Sequence, residues 1–168
     1  MNTFDKINKL SQSEFIKIFA NIFEKARWIA EKLYGQKPFD NFEDLCIKML
    51  RIFETTTKET QLKILNSHPD LANKAKINSL TKDSQREQKN SGLDQCFEEE
   101  FNEFKNLNER YKKKFGFPFI TAVKNKSKVE ILSEFKKRIS NDIDDEFNEA
   151  ILQVNKIANL RLNELNIK

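Results

Sequence analysis

The sequence is poor in the residues that build most cofactor sites and most β-sheet proteins. Its 168 residues include 3 Gly, 3 Pro, 2 Cys and a single His, which is His68. So few glycines exclude a glycine-rich phosphate loop or a dinucleotide-binding turn, since each needs several close together. They also disfavour an all-β chain, which needs many tight turns. One histidine and two cysteines cannot supply the four ligands usual in a structural zinc site, so we expect no metal.

Neither charge nor hydropathy is typical of a nucleic-acid or membrane protein. The 30 basic and 26 acidic residues give a net charge of +4, and both signs are interspersed. The longest basic run, Lys112–Lys114, is typical of a solvated helix face rather than of a basic stripe. No apolar run could cross a bilayer, and the N-terminus lacks the apolar core of a signal peptide. We therefore expect a cytoplasmic protein with no nucleic-acid or membrane partner.

The two cysteines lie far apart, and each lies within an apolar helical pattern. Cys46 and Cys96 are therefore predicted to be buried and reduced, as in a cytosolic protein. The sequence leaves a disulfide between them open.

Apolar residues recur at steps of three and four through most of the chain, which predicts helices. The hydrophobic fraction of 38%, with 15 Phe, is enough for a sizeable core. In chain order, the predicted helices cover Phe15–Phe23 after a cap at Ser11 or Ser13, Trp28–Leu33, Phe42–Phe53, Lys58–Leu65, Lys82–Ser91, Leu93–Lys114, Val129–Ile139 after Ser127, and a last helix from about Asp142 to Leu162. The stretch 115–123 contains Gly116 and Pro118 and breaks this pattern. We predict an all-α, single compact multi-helix domain over residues 1–168, with one extended apolar segment near 115–123.

His68 is the first candidate for chemistry because it is the only imidazole in the chain. It lies in a predicted loop between helices, directly before Pro69. A proline-held loop can aim an imidazole into a cleft, and a pKa near neutrality lets it give or take a proton. On composition alone, an ordinary surface or capping histidine is the favoured interpretation.

A second candidate is a polar face on the helix that follows Thr81. Ser84, Glu87 and Gln88 stand at i, i+3 and i+4, so one helix face presents a hydroxyl, a carboxylate and an amide. Such a trio can hydrogen-bond a small polar molecule. The same Ser-x-x-Glu spacing is also that of a capping box, with Ser84 as the cap. Thr81 competes for the cap, which would leave Ser84 inside the first turn.

Two further features could contact a ligand. The apolar stretch 115–123 offers backbone N–H and C=O groups in a setting that excludes water. Its alternative is a connection through the core whose backbone groups pair with the protein itself. Arg161, on the last helix, suits a planar carboxylate or carbonyl. Taken alone, Arg161 is better explained as a solvated residue or a surface ion pair.

Taken together, these motifs resemble those of one protein family in residue identity, order and spacing. The matching phrases are His68-Pro69-Asp70-Leu71-Ala72, Leu80-Thr81-x-x-Ser84-x-x-Glu87-Gln88-x-x-x-Gly92-Leu93, Leu107-Asn108-x-x-Tyr111-x-x-x-Phe115-Gly116-Phe117-Pro118-Phe119-Ile120, Arg138-Ile139, Glu146, Ala150 and Ile157-Ala158-x-x-Arg161-Leu162. The chain resembles the decarboxylases of 2-oxo-4-hydroxy-4-carboxy-5-ureidoimidazoline (OHCU), a compound of urate breakdown. The resemblance runs from Phe15 to Leu165.

The resemblance implies an all-helical, cofactor-free homodimer that converts OHCU to (S)-allantoin and CO2. The absence of cofactor motifs agrees with this, because the substrate carries an imine that can accept the electrons of the broken bond. His68 is implied as the catalytic acid/base and Glu87 as its catalytic partner. The implied substrate-binding residues are Pro69, Ser84, Gln85, Arg86, Glu87, Gln88, Phe119, Ile120, Thr121, Ala122, Val123 and, less directly, Arg161.

One segment departs from the family pattern. Where family members often carry Glu-His-Ser-Pro-Trp, this chain reads Glu24-Lys25-Ala26-Arg27-Trp28. The change motivates an alternative hypothesis, a non-catalytic or altered-substrate helical protein that binds a small molecule, although the motifs that would carry catalysis are intact. Fold similarity alone does not separate these two hypotheses. Nucleic-acid binding ranks last, because no basic stripe is interleaved with aromatic residues.

Overall fold

The structure is a computed structural model that describes residues 3–73 and 80–167. Within those ranges all regular structure is helical, and there is no strand. The helices are α1 (Thr3–Lys9), α2 (Gln12–Phe19), α3 (Arg27–Tyr34), α4 (Phe42–Glu54), α5 (Lys58–Ser67), α6 (Lys82–Asn90), α7 (Glu98–Phe115), α8 (Lys128–Arg138) and α9 (Ile143–Glu164). The predicted all-α class is confirmed.

The chain divides into two compact units, and the first comprises Met1–Ser67 with Val154–Lys168. It contains α1 to α5 and the C-terminal part of α9. Its core is aromatic: the ring centroid of Phe15 lies 4.5 Å from that of Phe19 and 5.9 Å from that of Phe39. All three rings are buried. The expectation of a single domain over the whole chain stays a prediction.

The second unit, His68–Gln153, contains α6, α7, α8 and the N-terminal part of α9. Tyr111 of α7 is fully buried at the centre of an aromatic cluster. Its ring centroid lies 4.6 Å from that of Phe115, 5.5 Å from that of Phe119 and 5.7 Å from that of Phe135. Phe119 and Phe135 also stack on each other at 3.9 Å. This cluster packs the segment that follows α7 against α8.

The predicted interruption of the helical pattern is confirmed. Helix α7 ends at Gly116, which is left-handed at φ 79°, a conformation that glycine adopts without the steric cost of a Cβ. Residues 117–123 then run without helix or strand and are all buried. We call these residues the extended segment.

The structure adds one helix that was not predicted and corrects two predicted helix bounds. Helix α1 was not predicted, and α2 ends at Phe19 rather than Phe23. Helix α7 begins at Glu98 rather than near Leu93. The later start has a local cause: Gly92 turns the chain at φ 75°, and the Glu100 carboxylate accepts the backbone N–H of the N-cap residue, Phe97.

The cysteine prediction is partly confirmed. Neither Cys46 nor Cys96 forms a disulfide within the described residues, but only Cys46 is buried. Cys96 is partly exposed because α7 begins only at Glu98, so Cys96 lies in the turn before that helix and not within it.

Within residues 3–73 and 80–167, no helix is both long and apolar enough to span a bilayer.

Candidate active site

His68 directly follows the last residue of α5, so the end of that helix sets where its loop begins. Helix α5 runs to Ser67, since the residue before a proline is disfavoured in helical geometry and Pro69 follows His68. The predicted stop before His68-Pro69 is confirmed. Both His68 and Pro69 are partly buried. We call residues 68–72 the His68 loop.

Gln88 of α6 binds two backbone groups of the His68 loop. Its side-chain Oε1 accepts the backbone N–H of Ala72 at 3.0 Å, and its Nε2 donates to the backbone carbonyl of Asp70 at 3.3 Å. Ala72 is left-handed, with φ 56°, a conformation uncommon for a residue with a Cβ. The Gln88 amide therefore supports a loop whose backbone is locally unfavourable.

Helix α7 holds the same loop from another side. Asn108 is buried, and its Nδ2 donates to the backbone carbonyl of Leu71 at 3.0 Å. Lys112, one turn further along, donates from Nζ to the Asp70 carboxylate at 2.7 Å. Loop residues 70, 71 and 72 are thus each bound by a side chain of α6 or α7.

Helix α6 is capped by Thr81, as predicted. The Thr81 hydroxyl accepts the backbone N–H of Ser84 at 3.2 Å, so Ser84 lies inside the first turn. The alternative in which Ser84 is the cap is therefore wrong. Ser84 and Gln88 are buried and Glu87 is partly buried, which places the predicted polar trio toward the protein rather than toward solvent.

The two residues between Ser84 and Glu87 are differently engaged. Gln85 donates from Nε2 to the backbone carbonyl of Leu80 at 2.9 Å. Arg86 is exposed and forms an ion pair with Asp83 at 3.2 Å. Gln85 and Arg86 also line an open surface depression of about 520 Å³. Their predicted contact with substrate therefore has less support than that of Ser84 or Glu87.

The extended segment is held by three side chains. Arg138 donates from Nη1 to the carbonyl of Ile120 at 2.8 Å, and Gln153 accepts the N–H of Ala122 at 2.9 Å. Ser91 donates its hydroxyl to the carbonyl of Val123 at 2.8 Å. The alternative in which this backbone pairs with the protein is thus correct for these three groups.

Other backbone groups of the same segment stay available. Among the described residues, no hydrogen bond uses the N–H groups of Ile120, Thr121 and Val123, although all three residues are buried. Buried backbone donors are nearly always paired in proteins. These three N–H groups are therefore suited to bind acceptor atoms of a ligand.

A buried ionic network lies beneath the extended segment. Arg138 donates from Nε to the Glu146 carboxylate at 2.8 Å, and Tyr111 donates its hydroxyl to the same carboxylate. Burial raises the pKa of Tyr111, and its bond to Glu146 raises it further. Burial alone would lower the pKa of Arg138, but the hydrogen bond and charge of Glu146 outweigh it and raise that pKa. Arg138 therefore stays cationic, and Tyr111 stays neutral.

The Thr121 side chain is already occupied within the protein. Its hydroxyl donates to the Glu134 carboxylate at 2.8 Å and accepts from Lys126 Nζ at 2.8 Å. Burial acts to raise the pKa of Glu134, but its bonds to Lys126 and Thr121 prevail and lower it. A substrate contact at Thr121 would therefore use its backbone.

Arg161 lies in the first unit, on the C-terminal part of α9. It is only 4% exposed and forms an ion pair with Glu24 at 3.1 Å. The interpretation of Arg161 as a solvated or surface-paired residue is therefore wrong. Its partner Glu24 belongs to the segment that departs from the family pattern, and the pair gives this glutamate a structural role in the first unit.

The comparison with known families decides the classification. A family model described as OHCU decarboxylase matches residues 8–163. The chain belongs to the OHCU decarboxylase family. The predicted resemblance is thereby confirmed, and the departure at residues 25–27 does not remove the chain from the family.

Known proteins resemble this family member over nearly all of its length. The 2-oxo-4-hydroxy-4-carboxy-5-ureidoimidazoline decarboxylase of Haloferax volcanii is 34% identical over 162 residues, which cover 96% of this chain and 95% of that protein. The uric acid degradation bifunctional protein of Bacillus sp. (strain TB-90) is 40% identical over 160 residues, which cover 95% of this chain and 31% of that protein. The chain thus spans about a third of the bifunctional relatives. A crystal structure of (S)-allantoin synthase matches with a TM-score of 0.79 at 26% identity, covering 98% of this chain and 54% of that one.

Sequence reasoning missed the residues that hold the site of this OHCU decarboxylase family member. The sequence analysis predicts no hydrogen-bond partner for Asn108 or for Gln153. A signal was present in both cases, since a polar residue on an otherwise buried face needs a hydrogen-bond partner.

Among the described residues, no group of three or more His, Cys, Asp and Glu side chains could hold a metal ion.

Proposed function

We propose that this chain decarboxylates OHCU to (S)-allantoin and CO2. The observation that carries the proposal is the placement of the only imidazole on a loop bound to α6, the helix of Glu87. Membership of the OHCU decarboxylase family supports it. So do the names of the matched relatives, one a decarboxylase of this compound and another a synthase of (S)-allantoin.

The reaction breaks the C–C bond between the ring carbon and the carboxylate. CO2 leaves, and the bonding electron pair passes into the conjugated imine of the substrate. The imine nitrogen takes up a proton, the former imine carbon that bears the ureido group takes up another, and the neighbouring hydroxyl loses its proton to become a carbonyl, which completes allantoin. The substrate thus supplies its own electron sink, and the protein has to bind it, orient it and place the proton.

His68 is the proposed acid/base in this scheme. It acts on the hydroxyl or carboxylate region as CO2 leaves, or it protonates the former imine carbon on one face and so fixes the S configuration. Glu87 is proposed to hydrogen-bond the substrate and to orient or share a proton with His68. The partial burial of both side chains supports these roles, since it lowers exposure to bulk water without removing access.

The proposed pocket combines the His68 loop, α6 and the extended segment. Pro69 and Ser84 line it, and the backbone of residues 119–123 contributes N–H groups. The unpaired donors of Ile120, Thr121 and Val123 support this, because OHCU carries carboxylate and carbonyl acceptors. Gln88 remains a proposed contact, although both polar groups of its amide already bind the His68 loop and support that contact less. Gln85, Arg86 and Arg161 remain proposed contacts, although the bonds they already make support them less.

We also propose that the enzyme is a cytoplasmic homodimer. The family resemblance supports the dimer, and the absence of a disulfide at Cys46 and Cys96 within the described residues agrees with a reducing compartment. Light scattering should give twice the mass of the chain, and a monomer at assay concentration would contradict the dimer. Cell fractionation tests the compartment.

The function is tested with OHCU generated freshly from urate, followed by optical rotation. The chain should accelerate allantoin formation over the spontaneous reaction and yield an excess of the S enantiomer. Racemic allantoin formed at the spontaneous rate would contradict the proposal. If allantoin nevertheless raises the melting temperature in that case, the alternative of a non-catalytic binding protein is favoured.

A further inference from the structure

We propose that Gln88 and Asn108 are positioning residues, which fix the His68 loop and thereby the imidazole against α6 and α7. Their expected effect on turnover rests on the proposed function, whereas their effect on the loop does not. Neither side chain has to touch the substrate for this role.

The Gln88 amide matches the loop backbone in both of its polar groups. The loop presents an N–H at Ala72 and a carbonyl at Asp70, and Gln88 meets them with a carbonyl oxygen and an amide nitrogen. A carboxylate would lack the donor, and an amine would lack the acceptor. Gln88 is only 2% exposed, so neither bond competes with bulk water. The side chain therefore sets one spacing between the loop and α6.

Asn108 fixes the residue between those two contacts. It is 5% exposed and donates to the carbonyl of Leu71 at 3.0 Å. With Gln88, it immobilises three consecutive backbone units only two to four residues beyond His68. Because Pro69 also restricts the backbone, little rotational freedom remains between these anchors and the imidazole.

The local backbone shows why such anchors are needed. The backbone of Ala72 is left-handed at φ 56°. A non-glycine residue keeps such a conformation only where several contacts of the surrounding structure hold it there. Without the two amides, the loop would relax toward a commoner conformation. That relaxation would move His68 relative to Glu87.

Positioning and substrate binding predict different kinetics. A residue that binds substrate equally in the ground and transition states raises KM when removed. A residue that only positions the imidazole lowers kcat and leaves KM unchanged, because a displaced acid/base still permits binding. A displacement of about 1 Å can cost on the order of 100-fold in rate.

The experiment uses Gln88→Met and Asn108→Leu in the full-length, untagged chain. Because His68 is the only histidine, NMR gives a single imidazole Cε1–H signal in the absence of substrate. Both variants should shift or broaden that signal and lower kcat by about 10- to 100-fold with KM unchanged. The matched controls are Lys89→Met on α6 and Asn106→Leu on α7, both exposed positions. They should match the wild type in signal and rate.

Two results would overturn the proposal. One is an unchanged imidazole signal in both folded variants. The other is a raised KM with unchanged kcat in Gln88→Met beside a normal Asn108→Leu, which would make Gln88 a substrate contact. If Gln88→Met does not fold, Gln88→Glu replaces it, since it keeps the acceptor for Ala72 and loses the donor to Asp70. If the wild type does not turn over OHCU, the proposed function fails, while the NMR comparison still decides the positioning role.

Discussion

Two backbone segments of the second unit are held by different chemistry. The His68 loop is bound by two neutral amides and by one ion pair, Lys112 to Asp70, whose lysine is exposed. The extended segment is bound by the uncharged side chains of Gln153 and Ser91 and, in addition, by Arg138, which forms a buried ion pair with Glu146. Neutral amides fix geometry with little electrostatic cost, whereas a buried ion pair is destabilising as soon as one partner is removed.

The difference separates activity from stability. Changes around the His68 loop should act mainly on the reaction, because the loop carries the proposed acid/base and its two buried anchors are uncharged. Removal of Arg138, which holds the extended segment, should act mainly on folding, because it leaves the charge of Glu146 buried without its cation. Substitutions in the two segments should therefore separate an effect on activity from an effect on stability.

Replacing the imidazole should give the largest effect on rate. His68→Asn keeps a polar side chain of similar reach but cannot transfer a proton near neutral pH. We expect decarboxylation to fall by about 10²- to 10⁴-fold, with the thermal midpoint and the helical circular dichroism unchanged. Steady-state kinetics with OHCU and thermal melts of the same sample measure both. Full activity in this variant would refute the imidazole mechanism.

Replacing Arg138 should give the largest effect on stability. Arg138→Met leaves Glu146 buried, with no cation to balance it, and frees the carbonyl of Ile120. We expect a loss of about 3–5 kcal/mol in the free energy of unfolding, measured by urea denaturation. The double variant Arg138→Met with Glu146→Gln should lose less than Arg138→Met alone. An equal or larger loss in the double variant would show that the buried charge is not the cause.

The two other anchors of the extended segment should differ from each other. Gln153→Leu leaves the buried N–H of Ala122 without its acceptor, so we expect the free energy of unfolding to fall by about 1–3 kcal/mol. Ser91→Ala should cost less, about 0.5–1.5 kcal/mol, because the carbonyl of Val123 also accepts from the N–H of Lys126. Urea denaturation of the two variants side by side decides the order. Equal losses would mean that the second acceptor bond does not matter.

The free energy of unfolding at alkaline pH should depend on the buried phenol of Tyr111. Burial and Glu146 raise the pKa of Tyr111 in the folded state, while an unfolded tyrosine titrates near pH 10. Stability from this group is therefore present below about pH 10 and is lost as pH rises above it, because the unfolded chain then gives up the proton. Urea denaturation between pH 8 and 11 should show this decline, and Tyr111→Phe should flatten it. An equally steep decline in the phenylalanine variant would contradict the assignment.

The smallest effect is expected at the ion pair with an exposed lysine. Lys112→Gln removes the bond to Asp70 and leaves the two amide anchors of the His68 loop in place. An exposed pair contributes about 0–1 kcal/mol, so stability should fall by no more than that. Its test is urea denaturation in low and high salt. A loss as large as that of Arg138→Met would erase the contrast between the two segments.

Much of the fold was predictable because local chemistry determines it. Thr81 caps α6, Gly116 ends α7, and the His68-Pro69 pair follows the end of α5, each for a reason that a few neighbouring residues contain. The start of α7 was mispredicted because the apolar spacing from Leu93 suits a helix by periodicity. The local turn at Gly92 and the cap that Glu100 forms at Phe97 delay the helix to Glu98, and periodicity alone does not reveal them.

The candidate site was predictable only in its chemical groups. His68 and Glu87 were proposed from residue type, spacing and family resemblance. The backbone contacts of Gln88 and Asn108 to the His68 loop, and of Gln153 to the extended segment, were not predicted, because they join residues 16 to 37 positions apart along the chain. Periodicity contains no information about such pairings, since they are set by tertiary packing.

The proposed decarboxylation can be followed through the carboxyl carbon of OHCU itself. OHCU labelled with ¹³C at its carboxyl group is mixed with the purified wild-type chain, and release of ¹³CO2 is recorded against a buffer control. We expect release in proportion to enzyme concentration and in step with the formation of (S)-allantoin. Release no faster than in buffer would contradict the account.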